Sequence, residues 1–219
     1  MKPFFPAVLF LLLLSLFACK KEKTESINMG YNYFPLKVSN YRIYQVDSIV
    51  YNDYTAKVDS FHYQVKMLIN NTFLDNTKRL TYQCQKYFRY DSAQWIYNKN
   101  MAITPTKDQL QLQDDNVRYI KLIFPVQAGD TWNSNALNIE HEENAIYTDV
   151  DFSKSILNHR YDSCLTVVYS DEIDLVNEIV HKEIYARNVG MIYKKEVNKN
   201  LSVLRGYFVE YKLIDYGSK

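Results

Sequence analysis

The sequence has few of the residues that interrupt regular structure or staple a chain together. Only 5 glycines and 5 prolines occur in 219 residues, and 3 cysteines are too few for a disulfide-rich scaffold. An excess of charge is also absent, because 26 basic residues offset 25 acidic ones and leave a net charge of +1. Nucleic-acid-binding domains carry clustered basic residues, whereas these are scattered singly. We therefore expect no nucleic-acid partner.

A long apolar run occurs at the very start of the chain. Lys2 precedes it, the apolar core covers residues 4–17, and the small residue Ala18 stands just before Cys19. This order is typical of a secretory signal. The run of about 14 residues is shorter than the about 20 that a membrane-spanning helix needs. The sequence therefore predicts a signal peptide over residues 1–18.

The end of this run resembles the lipobox of bacterial lipoproteins, with Ala18 before Cys19 in "LFAC". The resemblance implies that Cys19 becomes an acylated, palmitate-bearing N-terminus, and several acyl chains together anchor a protein stably. The alternative is an ordinary signal peptide beside an unmodified cysteine. Lys20 stands where Asp would signal inner-membrane retention, so the resemblance implies that the protein is located at the outer membrane. Whether the domain faces the periplasm or the cell surface is left undecided. Residues 19–32 are then the acylated cysteine and a flexible tether.

The remaining chain, residues 33–219, is predicted to form a single β-rich domain. Apolar and polar residues alternate along it, and its many tyrosines favour strands (20 in the whole sequence). Only residues 107–115 and 171–180 are candidates for short helices. Short gaps between strands favour antiparallel pairing. The strands are predicted at residues 41–51, 61–67, 80–85, 94–98, 117–124, 145–152, 163–170, 178–187, 191–197 and 203–213.

Four segments resemble, in the same order, the motifs of a broad group of uncharacterised Bacteroidetes outer-membrane lipoproteins. They are "YFPLKVSNYRIYQ", "IFPVQAGDTW", "DSCLTV" and "YARNVGMIYKK", and the group's forms are close to PL-VG--W-Y, PL--G--W, DCL-V and YA-GVGLV. This chain departs from the pattern at Ser39 and Asn188, where glycine is usual, and at Arg42, where tryptophan is usual. The resemblance implies a mainly β fold, a single antiparallel curved sheet or incomplete barrel of the lipocalin or LolA-like sort. It implies no reaction. Trp132 is interpreted as a core anchor.

No stretch carries a recognisable catalytic or metal-binding motif. His141 and Glu142 begin like the zinc motif H-E-x-x-H, but Ala145 replaces the second histidine, so residues 140–145 are predicted to be a solvated loop. The other histidines, at positions 62, 159 and 181, have no assignable partner. We predict no metal, no cofactor and no enzymatic activity.

Two pairs of residues leave alternatives open. Cys84 and Cys164 could form a disulfide or serve as two buried thiols. Ser48 and Ser92 lie in tripeptides that resemble the Asp-Ser-aliphatic O-glycosylation acceptor of the same bacteria, and the alternative is that they only serve turns or an exposed strand face.

The function predicted from the sequence is that of a membrane-anchored lipoprotein. Its β domain is expected to bind an apolar ligand or a partner protein of the envelope without catalysis. One alternative is an envelope hydrolase that acts on glycan or lipid through carboxylates brought together by folding, about 5 to 9 Å apart. Another is a structural or adhesive surface component.

Overall fold

The computed structural model describes residues 28–218. It contains twelve strands and one 3-10 turn (Tyr31–Tyr33), with no α-helix in these residues. The predictions for the signal peptide, for Cys19 and for the first part of the tether lie outside the described residues. No helix in the described part of the chain is long and apolar enough to cross a membrane. The strands are β1 (Asn40–Asn52), β2 (Lys57–Leu74), β3 (Leu80–Arg89), β4 (Ile96–Pro105), β5 (Gln109–Asp114), β6 (Val117–Ile123), β7 (Thr131–Asn133), β8 (Asn144–Ile156), β9 (His159–Ile173), β10 (Asn177–Ala186), β11 (Gly190–Asn200) and β12 (Arg205–Ser218).

All twelve strands belong to one antiparallel sheet in the order β6-β5-β4-β3-β2-β1-β12-β11-β10-β9-β8-β7. The two edge strands nearly meet. The backbone N–H of Ile120 in β6 donates to the carbonyl of Ser134, just after β7, at 2.9 Å. The indole Nε1 of Trp132 donates back to the Ile120 carbonyl at 2.9 Å. The sheet is therefore a nearly closed barrel, which confirms the predicted fold class.

The two predicted short helices are wrong. Residues 107–115 contain β5, in which Leu110 is buried and Leu112 half-buried on the inner face. Residues 171–180 form the end of β9, a turn and the start of β10. In both places a neighbouring strand satisfies the backbone N–H and C=O groups, so a short acidic segment gains more from the sheet than from an isolated helix.

Several strand boundaries also differ from those predicted. β2 is 18 residues long and begins before the predicted segment, whereas β4 lies mostly after it. Val203, predicted to share a face with the last strand, lies in the turn before β12 and is exposed. Periodicity identified the strands well but not their ends, because exposed residues at the ends of hairpins lack alternation.

The turn at the end of β10 packs against the start of β1. Asn188 has a φ of 63°, Gly190 a φ of 100°, and Ser39 before β1 a φ of 75°. Such left-handed conformations are adopted most easily by glycine. A Cβ at position 190 would also lie 2.4 Å from the Nη1 atom of Arg42, so a larger residue there would require the Arg42 side chain to shift.

Candidate functional site

The nearly closed sheet encloses a cavity of about 670 Å³. This volume is within the range of small-molecule binding sites, roughly 300 to 1,000 Å³. One wall, from strands β2 to β5, is mainly apolar, with two charged residues among its members. It is lined by Met67, Cys84, Met101, Ile103, Leu110 and Leu112, together with Lys86 and Asp114. The opposite wall, from β9 to β11, carries Tyr169, His181, Glu183, Lys194 and Glu196. The cavity is therefore amphipathic across its width.

Glu183 of β10 is the centre of the polar wall. Only 3% of its side chain is exposed, and Lys121 of β6 lies 2.8 Å from its Oε1 atom. The hydroxyls of Tyr169 and Tyr185 both donate to its Oε2 atom. Burial alone would raise the pKa of Glu183, but the positive charge of Lys121 and its other donors hold that pKa well below the usual range. The carboxylate is thus ionised and fully bonded.

His181 connects Glu183 to a carboxylate from another part of the chain. Its Nδ1 atom lies 3.0 Å from Oε1 of Glu143, and its Nε2 atom lies 3.8 Å from Oε1 of Glu183. Its ring stacks on Tyr169 with 4.1 Å between ring centroids. Burial disfavours the charged imidazolium, but the hydrogen bond to Glu143 and the proximity of Glu183 outweigh it, and the pKa of His181 is raised.

Glu143 itself belongs to the stretch predicted as a solvated loop. Residues 140–142 are exposed, in agreement with that prediction, but it is wrong for Ala145, which is buried in β8. Glu143 turns inward and accepts a 2.6 Å hydrogen bond from the Ser134 hydroxyl. Burial opposes ionisation of Glu143, but the bonds from His181 and Ser134 lower its pKa. The loop therefore supplies a wall residue that its composition alone did not reveal.

A second ion pair extends the polar wall along β11. The Nζ atom of Lys194 lies 2.7 Å from Oε2 of Glu196, whose Oε1 accepts a 2.7 Å hydrogen bond from the Tyr207 hydroxyl. Although burial opposes it, the charge of Lys194 lowers the pKa of Glu196 to about 2. Lys194 is deeply enclosed, yet a quarter of its side-chain surface is accessible. That surface faces the cavity, because Lys194 is one of its lining residues.

Arg42 of β1 lies elsewhere in the cavity and differs from all these groups. It is 4% exposed, and its Nη1 atom donates to the carbonyl of Val189 at 2.9 Å. Its guanidinium lies over the Phe34 ring, 4.7 Å from the centroid. Within residues 28–218 no carboxylate forms an ion pair with Arg42. No described side chain therefore neutralises the charge of its guanidinium.

Other residues singled out in the sequence lie away from the polar wall. Cys84 and Cys164 are free and buried, on strands β3 and β9 that are far apart in the sheet order, so the disulfide is not formed. Burial raises the pKa of each thiol to about 11.

Ser48 is half-buried within β1, and Ser92 is exposed in the β3–β4 turn. Ser92 is therefore the more accessible of the two positions for glycosylation.

The interior residues were hard to identify from sequence for a physical reason. Lys121, Glu183 and Lys194 each occupy an alternating position of an ordinary strand. Lys121 lies 62 residues before Glu183, and Glu143 lies 38 residues before His181. One signal in the sequence could have identified Glu183 as an inward-facing residue. It alternates along β10 with Ile179 and Tyr185, which point to the same face. In the described residues no group of three or more His, Cys, Asp or Glu side chains has the arrangement of a metal site.

Comparisons with known proteins give one structural likeness. No family model and no curated protein matches the chain. The chain is similar to a crystal structure from Bacteroides fragilis described as a "putative exported protein with YmcC-like fold", at 8% sequence identity and a TM-score of 0.43. The match covers 84% of this chain and 98% of the other.

Proposed function

We propose that the chain is a lipid-anchored protein of the bacterial envelope that holds an amphiphilic ligand in its interior cavity without catalysing a reaction. The observation that carries this proposal is the cavity of about 670 Å³ with one apolar wall and one polar wall. An apolar wall binds hydrocarbon by removing it from water, and a few fixed polar groups orient the ligand. The envelope location and the anchor are supported by the signal-like segment and by Cys19.

The three methionines of the cavity also support ligand binding. Met67, Met101 and Met191 line it, whereas a purely structural core favours side chains with better-defined rotamers. Methionine is flexible and polarisable, and it adapts to apolar ligands of different shapes. A structural or adhesive component would not need such an interior, so the cavity favours binding over that alternative.

The carboxylates of the site favour binding over hydrolysis. Glu143 and Glu183 lie on either side of His181, so they are a candidate for the carboxyl pair that a hydrolase of glycans uses. Such an enzyme needs one carboxyl group that stays protonated near neutral pH, which requires a raised pKa. Both of these groups have a lowered pKa because cationic or hydrogen-bonding side chains stabilise their ionised forms. Neither is suited to act as a general acid.

The proposal is tested by asking what the purified full chain carries. Native mass spectrometry should show an amphiphile bound to the wild-type protein, and solvent extraction should identify it. Met67→Trp, which adds volume inside the cavity, should abolish the bound mass, while Val58→Trp, at an exposed position of β2, should retain it. An unliganded wild-type protein that also fails to take up added amphiphile would refute the proposal, as would unchanged binding in Met67→Trp.

A further inference from the structure

The cavity contains a buried cation that lacks a counter-ion in the described chain. Arg42 is almost completely buried, yet its one hydrogen bond there goes to a neutral carbonyl, that of Val189. Two other cations of the cavity are paired, Lys121 with Glu183 and Lys194 with Glu196. Lys86 also lines the cavity without an ion pair in the described residues, but it is only half-buried, so Arg42 is the more deeply buried of the two. An isolated buried charge is costly, and proteins normally pair it or bind an ion with it. The absence of a partner therefore needs an explanation.

The groups nearest to Arg42 do not supply a negative charge. Cys84 feels its field, but burial raises the pKa of that thiol to about 11, so it stays neutral at physiological pH. Tyr44 also feels this field and remains a neutral phenol, because burial raises its pKa. Its hydroxyl donates to the Met191 carbonyl at 2.9 Å. Phe34 offers only its ring face.

The guanidinium is nevertheless held in a fixed position. Val189 accepts from Nη1, Phe34 supports one face, and Gly190 leaves room that a Cβ would fill at 2.4 Å from Nη1. The side chain also lines the cavity. A rigid guanidinium with free N–H groups directed at a cavity is suited to a carboxylate or phosphate, which it binds with paired hydrogen bonds.

Arg42 is also separated from the charged cluster. Glu183 pairs in register with Lys194, and Lys194 with Tyr211. Tyr211 in turn pairs with Val46, which is four residues beyond Arg42 in β1. At about 3.3 Å per residue, the backbone of Arg42 is offset by about 13 Å along the strand direction from the row of residues that contains Glu183 and Lys194. The apolar wall with Met67 and Met101 borders the space, so an acidic group at Arg42 has room for an attached apolar chain.

Resting on the proposed function, we infer that the ligand is an anionic amphiphile whose carboxylate or phosphate group pairs with Arg42. This assigns Arg42 as the residue that selects the charge of the ligand.

The test compares three probes of equal chain length: a long-chain fatty acid, the matching primary alcohol and the matching alkyl phosphate. The purified full chain is first freed of bound lipid on a hydrophobic resin, and each probe is titrated against a fluorescent fatty acid. We expect the acid or the phosphate to bind about tenfold or more tighter than the alcohol, since hydrogen bonds to charged groups are worth this much. The tighter of the two anions distinguishes a free fatty acid from a lipid phosphate.

Substitutions locate the effect at Arg42. Arg42→Met should reduce the preference for the anion to about onefold while alcohol binding is unchanged, and Arg42→Lys should retain part of it. Arg160→Met, on the exposed surface, is the matched control and should behave like the wild type. Equal binding of the acid, the phosphate and the alcohol by the wild-type protein would overturn the inference but leave the proposed function intact. Binding of none of the three probes would overturn both, and the wild-type comparison holds even if Arg42→Met does not fold.

Discussion

The ammonium group of Lys121 in β6 lies 2.8 Å from the carboxylate of Glu183 in β10, two strands that are not neighbours in the sheet. The contact therefore crosses the interior near the seam where β6 approaches β7. Both side chains are largely buried, with 13% and 3% of their surface exposed. The pair links edge strand β6 to the interior strand β10 across the cavity.

Substitutions of Lys121 and of Glu183 should have strongly coupled effects on the free energy of unfolding. Glu183→Gln should destabilise the protein by about 3 to 5 kcal/mol, because it leaves a buried ammonium without its counter-ion. Lys121→Met should be similarly costly, since it leaves the carboxylate unpaired. The double variant should lose much less than the sum of the two. Urea unfolding of the four proteins checks this, and additive losses would show that the pair is not coupled.

Stability should depend on pH through His181, around which Glu143, Glu183, Lys121 and Glu196 are arranged. The pKa of His181 is raised in the folded state above its ordinary value of 6.5, so the folded protein holds this proton more tightly than the unfolded chain. This contribution is complete below pH 6.5 and is lost as the pH rises through the folded-state pKa. Unfolding free energies measured across that range should fall, and His181→Gln should flatten the decrease. If the free energy of unfolding of the wild type rose with pH above 6.5 and that of His181→Gln did not, the raised pKa assigned to His181 would be contradicted.

Backbone strain at Ser39 should be relieved by glycine. Its φ of 75° is unfavourable for a residue with a Cβ, and no hydrogen bond of its side chain is found in the described structure. Ser39→Gly should stabilise the protein by about 0.5 to 1 kcal/mol after the entropy cost of glycine is included. Ser48→Gly, in the extended middle of β1, should instead destabilise it by about 0.5 to 1 kcal/mol. Thermal unfolding of both variants provides the comparison, and equal shifts would exclude the strain.

The lipid anchor proposed at Cys19 has its own test. Cys19→Ala should abolish metabolic labelling with palmitate and leave a precursor that retains residues 1–18, because no thiol remains to be acylated. The β domain should still fold, since its core lies within residues 33–218. Palmitate on the variant, or its normal maturation, would show that the segment is an ordinary signal peptide. Protease added to intact cells then distinguishes a surface location from a periplasmic one.

The sequence predicted the sheet far better than the site. Period-two alternation at Tyr63, Val65 and Met67 is a local property of the chain, so it identified β2 directly. Closure at the seam depends on a contact between Ile120 and Ser134 that no local pattern encodes. The charged interior was equally hidden, because Glu183 and Lys194 look in sequence like exposed residues of alternating strands. Only the closed sheet turns those positions inward.

Three positions depart from the pattern of the lipoproteins that the sequence resembles, and each has a distinctive conformation or environment in the structure. Ser39 and Asn188, where glycine is usual, both have a positive φ. Arg42, where tryptophan is usual, is buried on Phe34 and lines the cavity. The sequence did not identify Arg42 as a cavity residue, because its burial depends on the turn at Val189 and on Phe34, which lie elsewhere in the chain.

The most direct test of ligand binding inside the sheet uses the methyl groups of methionine as NMR probes. Met67, Met101 and Met191 line the cavity, whereas Met29 packs on the core outside it. Titration of the methyl-labelled full chain with a long-chain fatty acid should shift the resonances of the three cavity methionines and leave that of Met29 in place. Saturation of binding with those three resonances unmoved would place the ligand elsewhere and contradict the account.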